Sequence, residues 1–292
     1  MSVQVDLAQE RTAERHTRLV RAGLVGAAVL YVSILVLAPF GGIVWTVAKG
    51  GWHTLTETLT APDVRHAYLL TGIITLVTVV VTSILGTVVA LVVARDSFPG
   101  RRLLSALVDL PLAVSPVIVG LMAVLLFGRG GWFEAFFAAR GIQIIFALPS
   151  MIIVTAFICI PFVIREVVPV LGELGTQEED AARTLGASSL QTFFRVTLPN
   201  IRWALLYGIA LTTARALGEI GAILIVSGAI QGQTETATLY VLRALEERQD
   251  ASGNLVALTL AFASILLLVG IEVFKRKRVK DMTSTHTKEI AP

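Results

Sequence analysis

The sequence predicts an all-α membrane protein with six transmembrane helices and both termini in the cytoplasm. Apolar residues make up 55% of the 292-residue chain and charged residues only 15%, and the mean hydropathy is +0.78. A soluble domain carries about 25% charged residues. The charged residues are nearly absent from several long stretches and crowd between them. This alternation is typical of membrane-spanning helices separated by aqueous loops.

Six apolar stretches are long enough to cross roughly 30 Å of hydrocarbon as α-helix. They cover residues 22–48, 69–94, 103–127, 142–164, 203–230 and 254–274. The first is longer than the apolar region of a signal peptide, so we expect it to be retained. The expected domains are a cytoplasmic tail at 1–18, a transmembrane domain at 19–275 with a cytoplasmic loop at 165–202, and a cytoplasmic tail at 276–292.

The distribution of lysine and arginine orients these spans. Most of these residues lie in the two tails and in the loops 95–102 and 165–202. The opposite side holds Lys49, Arg65, Arg129, Arg140, Arg243 and Arg248. Because short loops rich in positive charge stay in the cytoplasm, this excess predicts cytoplasmic termini. The basic residues form no cluster with aromatic residues, so nucleic acid is not an expected partner, whereas membrane lipid is.

Prolines interrupt the third and fourth predicted spans, at Pro111 and Pro116 and at Pro149 and Pro161. Proline removes a backbone donor and kinks or breaks a helix. In lipid, such a break persists where protein or a water-filled cavity satisfies the freed carbonyls. We therefore expect these spans to pack inside a bundle or to line a pathway. Asp109 precedes the first break, where we favour a capping role over a functional one.

The cytoplasmic loop 165–202 predicts two short helices separated by a glycine turn. Thr176 with Glu179, and Ser188 with Gln191, have the spacing of capping boxes, which start helices. Gly186 supplies the left-handed residue that ends the first helix. Small alanine side chains on a helix held by a rigid turn would allow close docking into another protein.

This loop resembles the EAA motif of ABC importer permeases. The matching residues are Glu179, Ala181, Ala182, Gly186, Leu198 and Pro199, with Asp180 as an extra acid and Leu185 and Ala187 flanking the glycine. The resemblance implies a type I importer permease fold and a coupling helix that inserts into a groove of a separate ATPase subunit. The alternative is an ordinary amphipathic hairpin at the membrane surface.

Three further segments are similar to the sulfate/thiosulfate permeases within that class. They are the runs 109–117, 161–169 and 214–234, so the resemblance covers about residues 95–240. Ile220 replaces the usual phenylalanine, and residues 236–253 depart from the family pattern. Molybdate permeases share the segment around Glu219, so a molybdate or tungstate importer remains the alternative.

Arg215 and Glu219 lie within the fifth predicted span, four residues apart and hence on one face of a helix. Charges at that depth normally face a bundle interior or an aqueous cavity. Together with Thr212 and Ser227 they are candidates for lining the translocation path, where Arg215 would meet an anion. A structural ion pair that locks the helix to its neighbours explains them equally well.

The resemblance implies four kinds of partner in a bacterial inner membrane. These are a second, homologous permease, two ATPase subunits that hold ATP and magnesium, a periplasmic or lipid-anchored sulfate-binding protein, and the surrounding lipid. The chain has no GxxxxGK[ST] loop, HExxH motif or cysteine pair, so we expect no enzymatic activity, no cofactor and no metal. A passive anion channel and a membrane scaffold are the rival classes. The coupling loop argues against the channel, and the charged pair in the fifth span argues against the scaffold.

Overall fold

A computed structural model describes the backbone of residues 2–289 and the side chains of residues 21–273. The side chains of the two predicted tails, 1–18 and 276–292, lie outside the described residues. Across the described backbone the regular structure is helical. The helices are α1 Ser2–Thr60, α2 Pro62–Arg95, α3 Arg101–Ala113, α4 Pro116–Phe127, α5 Glu134–Ala138, α6 Leu148–Leu174, α7 Gln177–Thr184, α8 Ser189–Thr192, α9 Leu198–Leu217, α10 Gly221–Ser227, α11 Ala237–Glu246 and α12 Asp250–Glu289. A π-helical turn, Phe193–Thr197, joins α8 to α9.

Four helices are long and apolar enough to cross a membrane. They comprise residues Arg21–Thr60 of α1, the whole of α2 and α6, and residues Asp250–Val273 of α12. Two bent pairs bring the number to six if each pair is one span. These pairs are α3 with α4, bent by 111°, and Ser189–Leu217 with α10, bent by 57°. The chain is therefore a multi-pass helical membrane protein with four to six spans.

The predicted interruption of the third span is confirmed. Helix α3 ends at Ala113, and Val114 and Ser115 are extended before α4 starts at Pro116. Proline suits the first turn of a helix, where its missing N–H would have no partner within the helix. Pro111 lies inside α3. The sharp change of direction therefore follows Pro111 by a few residues and falls just before Pro116.

The predicted interruption of the fourth span is wrong. Pro149 lies in the first turn of α6, and Pro161 lies inside a helix that runs to Leu174. Val163, two residues beyond Pro161, packs tightly against two neighbouring helices. If Gly86 of α2 carried a Cβ, that atom would lie 2.9 Å from the Cβ of Val163. If Gly208 of α9 carried a Cβ, that atom would lie 2.9 Å from the Cα of Val163. Close packing against neighbouring helices thus keeps α6 helical across the missing backbone donor.

The fifth predicted span, 203–230, is not one continuous helix. Helix α9 ends at Leu217 and α10 begins at Gly221, a break that the sequence reading did not include. The broken spans meet at their breaks, because a Cβ at Gly221 would lie 3.1 Å from Cβ of Pro116. One turn further, a Cβ at Gly120 of α4 would lie 2.8 Å from the carbonyl oxygen of Ala222. The two half-length helices α4 and α10 therefore pack backbone to backbone.

Candidate functional site

The loop 165–202 contains two short helices around Gly186, as predicted. Gly186 has φ +89°, a conformation that favours glycine. Its N–H donates to the Arg183 carbonyl at 2.9 Å, and the Ala187 N–H donates to the Ala182 carbonyl at 3.0 Å. These two bonds form a Schellman motif, which satisfies the carbonyls at the end of α7. The turn between α7 and α8 is therefore fixed by the backbone itself.

One of the two predicted capping boxes is present. The Gln191 N–H donates to Ser188 Oγ, and the Ser188 N–H donates to Gln191 Oε1 at 2.9 Å. The box at Thr176 is wrong, since the Thr176 side chain caps no backbone group of α7. Its expected partner, Glu179, instead points to the core of the protein. A buried charged partner has displaced the local bond that the sequence pattern favours.

That partner is Arg95, which the sequence shows only as one of the positive charges in the loop 95–102. Arg95 Nη2 donates to Glu179 Oε1 at 3.0 Å, and Arg95 Nη1 donates to the Leu171 carbonyl at 2.9 Å. Thr197 Oγ1 donates to the same Glu179 oxygen at 2.9 Å. The Arg95 and Glu179 side chains are 16% and 10% exposed. No sequence signal joins two residues 84 positions apart, so only the fold could reveal this contact.

The residues of the EAA-like motif divide between two faces of the loop. Glu179 faces inward, whereas the adjacent Asp180 is exposed. Leu185 at the apex is 89% exposed. The remaining motif residues are exposed at Ala181, Gly186 and Pro199 and half-buried at Ala182, Ala187 and Leu198. Of these two acids, Asp180 is therefore the one exposed to a partner protein, and Glu179 holds the loop to its own subunit.

The loop is continuous with the fifth span. In the π-helical turn the Leu198 N–H donates to the Phe193 carbonyl, five residues back. Pro199, the next residue, has no N–H to donate. The π-helical turn contains one extra residue per turn and so accommodates the proline without ending the helix. The backbone therefore stays helical from Ser189 to Leu217. The second short helix is thus a rigid extension of α9 and not a separate surface helix.

The predicted pair in the fifth span exists, although its geometry differs from the prediction. Arg215 Nη2 lies 2.7 Å from Glu219 Oε2. The two residues do not share a helix face, because α9 ends at Leu217 and Glu219 lies in the break. Glu219 Oε1 accepts a hydrogen bond of 2.9 Å from the Ala222 N–H, at the start of α10. Thr238 Oγ1 donates to the Glu219 carbonyl at 2.8 Å, which ties the break to α11.

The four candidate path residues differ in how accessible they are. The Glu219 side chain is 1% exposed, whereas that of Arg215 is 30% exposed. Thr212 and Ser227 are fully buried within the subunit. Ser227 Oγ accepts a hydrogen bond from the Ala229 N–H at 3.0 Å and closes the turn after α10. Of the four, Arg215 has the most exposed side chain.

The predicted capping role of Asp109 is wrong. Asp109 lies within α3, and the caps of α3 and α4 are Gly100 and Ser115. Its carboxylate accepts a bond of 2.9 Å from Arg165 Nε on α6, with both side chains about half exposed. An exposed ion pair of this kind contributes about 0–1 kcal/mol. Asp109 therefore orients α3 against α6.

The segment 236–253, which lies between the fifth and sixth predicted spans, contains the helix α11, and this helix packs into the bundle. Ala237, Tyr240 and Ala244 pack against Val64 of α2 and Val256 of α12. Thr71 Oγ1 of α2 accepts a bond of 2.9 Å from the Ala237 N–H. The sequence reading missed this helix because its ten residues, Ala237–Glu246, are too short for a span and mix apolar with charged positions.

A partly buried ionic cluster fixes α11 to the start of α2. Arg243 donates to both oxygens of Glu235, at 2.7 and 3.1 Å, and to Asp63 Oδ2 at 3.1 Å. The Glu235 side chain is 2% exposed. The hydrogen bond with Glu235 is the main cause that raises the pKa of the Arg243 guanidinium. Asp63 and Arg95 lie near opposite ends of α2, so one helix joins this cluster to the loop that contains α7 and α8.

The fold and the loop define a class of protein, the helical membrane permease of a type I ABC importer. The structure is similar to a chain in the crystal structure of a bacterial alginate ABC transporter in complex with an alginate pentasaccharide-bound periplasmic protein. The TM-score is 0.73 at 17% identity, over 90% of this chain and 95% of that chain. At this identity the likeness concerns the fold alone.

Sequence comparison then gives the family. Residues 83–277 match the binding-protein-dependent transport system inner membrane component, and the chain belongs to this family. It is 42% identical to the sulfate transport system permease protein CysW of Synechocystis, over 87% of this chain and 92% of that protein. It is 43% identical to CysW of Escherichia coli K12, over 85% and 83%. Identity to the permease CysT of the same strain is 35%, over 86% and 91%.

Proposed function

We propose that the chain is the transmembrane permease subunit of an ATP-driven importer that carries sulfate, and with it thiosulfate, into the cytoplasm. The observation that supports this most strongly is the identity of 42–43% to CysW permeases over most of their length. The relatives described above are sulfate permeases, which favours sulfate over molybdate or tungstate. The exposed coupling loop favours an importer over a passive channel, since a channel needs no ATPase-docking helix.

The proposed topology has six spans, with each bent pair counted as one, and cytoplasmic termini. The excess of lysine and arginine supports this orientation. The positions of the ion pairs agree with it. Arg95 and the coupling loop share one end of α2, whereas Asp63 and Arg243 share the other. The first end is the proposed cytoplasmic end, and the cluster around Arg243 then lies on the outer side of the membrane.

The permease works as one member of a complex with a homologous permease, two ATPase subunits and a sulfate-binding protein. The ATPase subunits bind ATP and magnesium, and the permease itself is not catalytic. The exposed face of the loop, with Asp180, Ala181, Leu185 and Gly186, enters a groove of the ATPase. The binding protein delivers the anion from outside. Closure of the ATPase pair on ATP shifts the population of permease states towards the outward-facing one.

Arg215 provides the cationic contact for the anion on its path. Its guanidinium is partly exposed, and its partner Glu219 is fixed by the Ala222 N–H. When the anion leaves, Glu219 restores the ion pair, so that Arg215 does not hold the anion tightly. Release is as necessary as binding in a transport pathway.

The experiment is uptake of radiolabelled sulfate into cells that express this chain with its neighbouring transporter genes. Unlabelled thiosulfate and molybdate serve as competitors. We expect uptake that thiosulfate blocks and that molybdate leaves unchanged. No sulfate uptake, or uptake that molybdate suppresses best, would contradict the proposed substrate.

Two glycine variants test the coupling loop in the same assay. Gly186→Val places a β-branched residue at φ +89°, where it is strained, and adds bulk to the exposed turn. Gly172→Val is the matched control, because Gly172 is helical and a Cβ there meets no atom within 4 Å. We expect Gly186→Val to abolish uptake and Gly172→Val to retain it. Equal uptake by both variants would exclude coupling through this turn.

Arg215→Ala tests the proposed path. Loss of uptake with an intact complex supports contact with the anion. Loss of the assembled complex would instead assign Arg215 to a structural lock.

A further inference from the structure

Arg95 and its acceptor Glu179 connect four elements: α2, α6, α7 and the π-helical turn before α9. Arg95 lies in the last turn of α2, and its two Nη atoms reach the last turn of α6 at the Leu171 carbonyl and the first turn of α7 at Glu179. The same Glu179 oxygen accepts a bond from Thr197, in the π-helical turn that leads into α9. The contact therefore joins the start of the coupling helix α7 to the three long helices that form the centre of the bundle.

The charges suit these positions. A cation is favoured in the last turn of a helix and an anion in the first turn, because each complements the helix dipole. Arg95 and Glu179 occupy these two positions. The planar guanidinium can donate in two fixed directions, which a lysine ammonium does not reproduce. Since both side chains are largely buried, their pairing is screened less by water than that of an exposed pair.

The contact fixes the direction in which the coupling helix faces. Glu179 and Asp180 are adjacent on α7, so holding Glu179 inward turns Asp180 and Ala181 outward. Gly186 and its two backbone bonds then set Leu185 at the apex. Without the contact, α7 keeps a hydrogen bond of 2.6 Å from Asn200 Nδ2 to Glu178 Oε2 at the protein surface. Its eight residues include no buried apolar side chain, and Thr176 does not cap it.

We propose that Arg95 is the positioning residue of the coupling helix. It fixes α7 to α2 and α6, so that a displacement of the loop by the ATPase becomes a displacement of the membrane helices. Arg95 does this without touching the ATPase, the anion or the nucleotide. The role in transport rests on the proposed function, whereas the positioning of α7 does not.

The first test measures the order of α7 by electron paramagnetic resonance on the purified full chain. A nitroxide label is placed at Leu185→Cys on the coupling loop, and in a second sample at Trp132→Cys, which is 86% exposed in the loop after α4. The chain's own Cys159 is buried, and a sample without added cysteine measures its labelling. The variants are Arg95→Gln, Glu179→Gln and Arg95→Lys. The control is Arg102→Gln, an exposed arginine at the start of α3.

We expect the spectrum of the label at residue 185 to narrow in Arg95→Gln and Glu179→Gln, and to keep its width in Arg102→Gln. In Arg95→Lys we expect a spectral width between those of the wild type and Arg95→Gln, because a lysine retains the charge and loses the second directed bond. The label at residue 132 keeps its spectrum in every variant, which shows that the bundle is intact. An unchanged spectrum at residue 185 in Arg95→Gln would overturn the proposal.

The second test measures sulfate transported per ATP hydrolysed by the reconstituted complex. We expect this ratio to fall about tenfold in Arg95→Gln, within the range of typical coupling energies, while hydrolysis continues. Partial recovery in Arg95→Lys supports positioning by charge. A normal ratio together with a mobile α7 would overturn the role in coupling. A wild-type complex without sulfate transport would remove the proposed function, and the label at residue 185 would still decide whether Arg95 positions the helix.

Discussion

Arg215 and Glu219 form an ion pair across the end of a helix. Nη2 of Arg215 lies 2.7 Å from Oε2 of Glu219, although α9 ends at Leu217 between them. The carboxylate also accepts the Ala222 N–H of the next helix. One buried acid therefore joins both halves of the broken fifth span, and the arginine balances its charge.

Removal of Arg215 should be costly for this reason. Arg215→Ala leaves Glu219 buried without a counter-charge, which typically costs about 3–5 kcal/mol. The double variant Arg215→Ala with Glu219→Gln should be more stable than the single variant, because the neutral amide still offers an oxygen to the Ala222 N–H. Thermal unfolding of the purified full chain in detergent compares them. Arg183→Ala, which removes an exposed pair with Asp180, is the control. A double variant no more stable than Arg215→Ala would show that the buried charge is not the cause.

The ionic cluster around Arg243 should also lose stability when its arginine is removed. Arg243→Met leaves the buried Glu235 and the nearby Asp63 unpaired, and we expect a loss of about 3–5 kcal/mol. Arg243→Lys should lose less, since the ammonium keeps its charge but cannot reproduce the paired bonds to Glu235. Unfolding by sodium dodecyl sulfate measures the difference, with the exposed Arg65→Gln as control. Equal losses for Met and Lys would contradict a role for the charge.

The contact between α4 and α10 should depend on the absence of a side chain at Gly120. Gly120→Ala places a Cβ 2.8 Å from a backbone oxygen and 2.9 Å from Cβ of Ile225. Overpacking of this kind costs about 1–3 kcal/mol. Gly72→Ala on α2 is the matched control, because a Cβ there meets no atom within 4 Å. The unfolding temperature of Gly120→Ala should fall, whereas that of Gly72→Ala should not. Equal unfolding temperatures would show that α4 and α10 do not pack this closely.

Tyr240 should make the protein less stable at alkaline pH. Burial, and then the charge of Asp63, raise the pKa of the Tyr240 phenol above its ordinary value of 10.0. The folded state therefore holds this proton more tightly than the unfolded state. Its contribution to stability is complete below pH 10 and is lost as the pH rises through the higher, folded-state pKa.

The measurement compares unfolding temperatures of the wild type and Tyr240→Phe between pH 7 and pH 11. We expect the wild type to lose stability relative to Tyr240→Phe above about pH 10. A constant difference between wild type and Tyr240→Phe over this range would contradict the prediction.

The sequence predicted those features that depend on neighbouring residues. Apolar runs predicted the membrane spans, the pair Ser188 and Gln191 predicted a capping box, and Gly186 predicted a left-handed turn. The proline rule succeeded at Pro116, where the chain had room to turn. It failed at Pro161, because contacts with Gly86 and Gly208 hold α6 in place. A local rule is reliable where no distant contact competes with it.

The sequence by itself determined that the chain is a helical membrane protein with a helix–glycine–helix loop, because hydropathy and helix capping depend on short stretches of chain. Only the tertiary structure decided that Glu179 turns inward to Arg95 while Asp180 faces outward. It also decided where the fifth span breaks and which acids surround Arg243. Adjacent acids look alike in a sequence, and a buried charge is assigned by whichever distant partner the packing brings within hydrogen-bond distance.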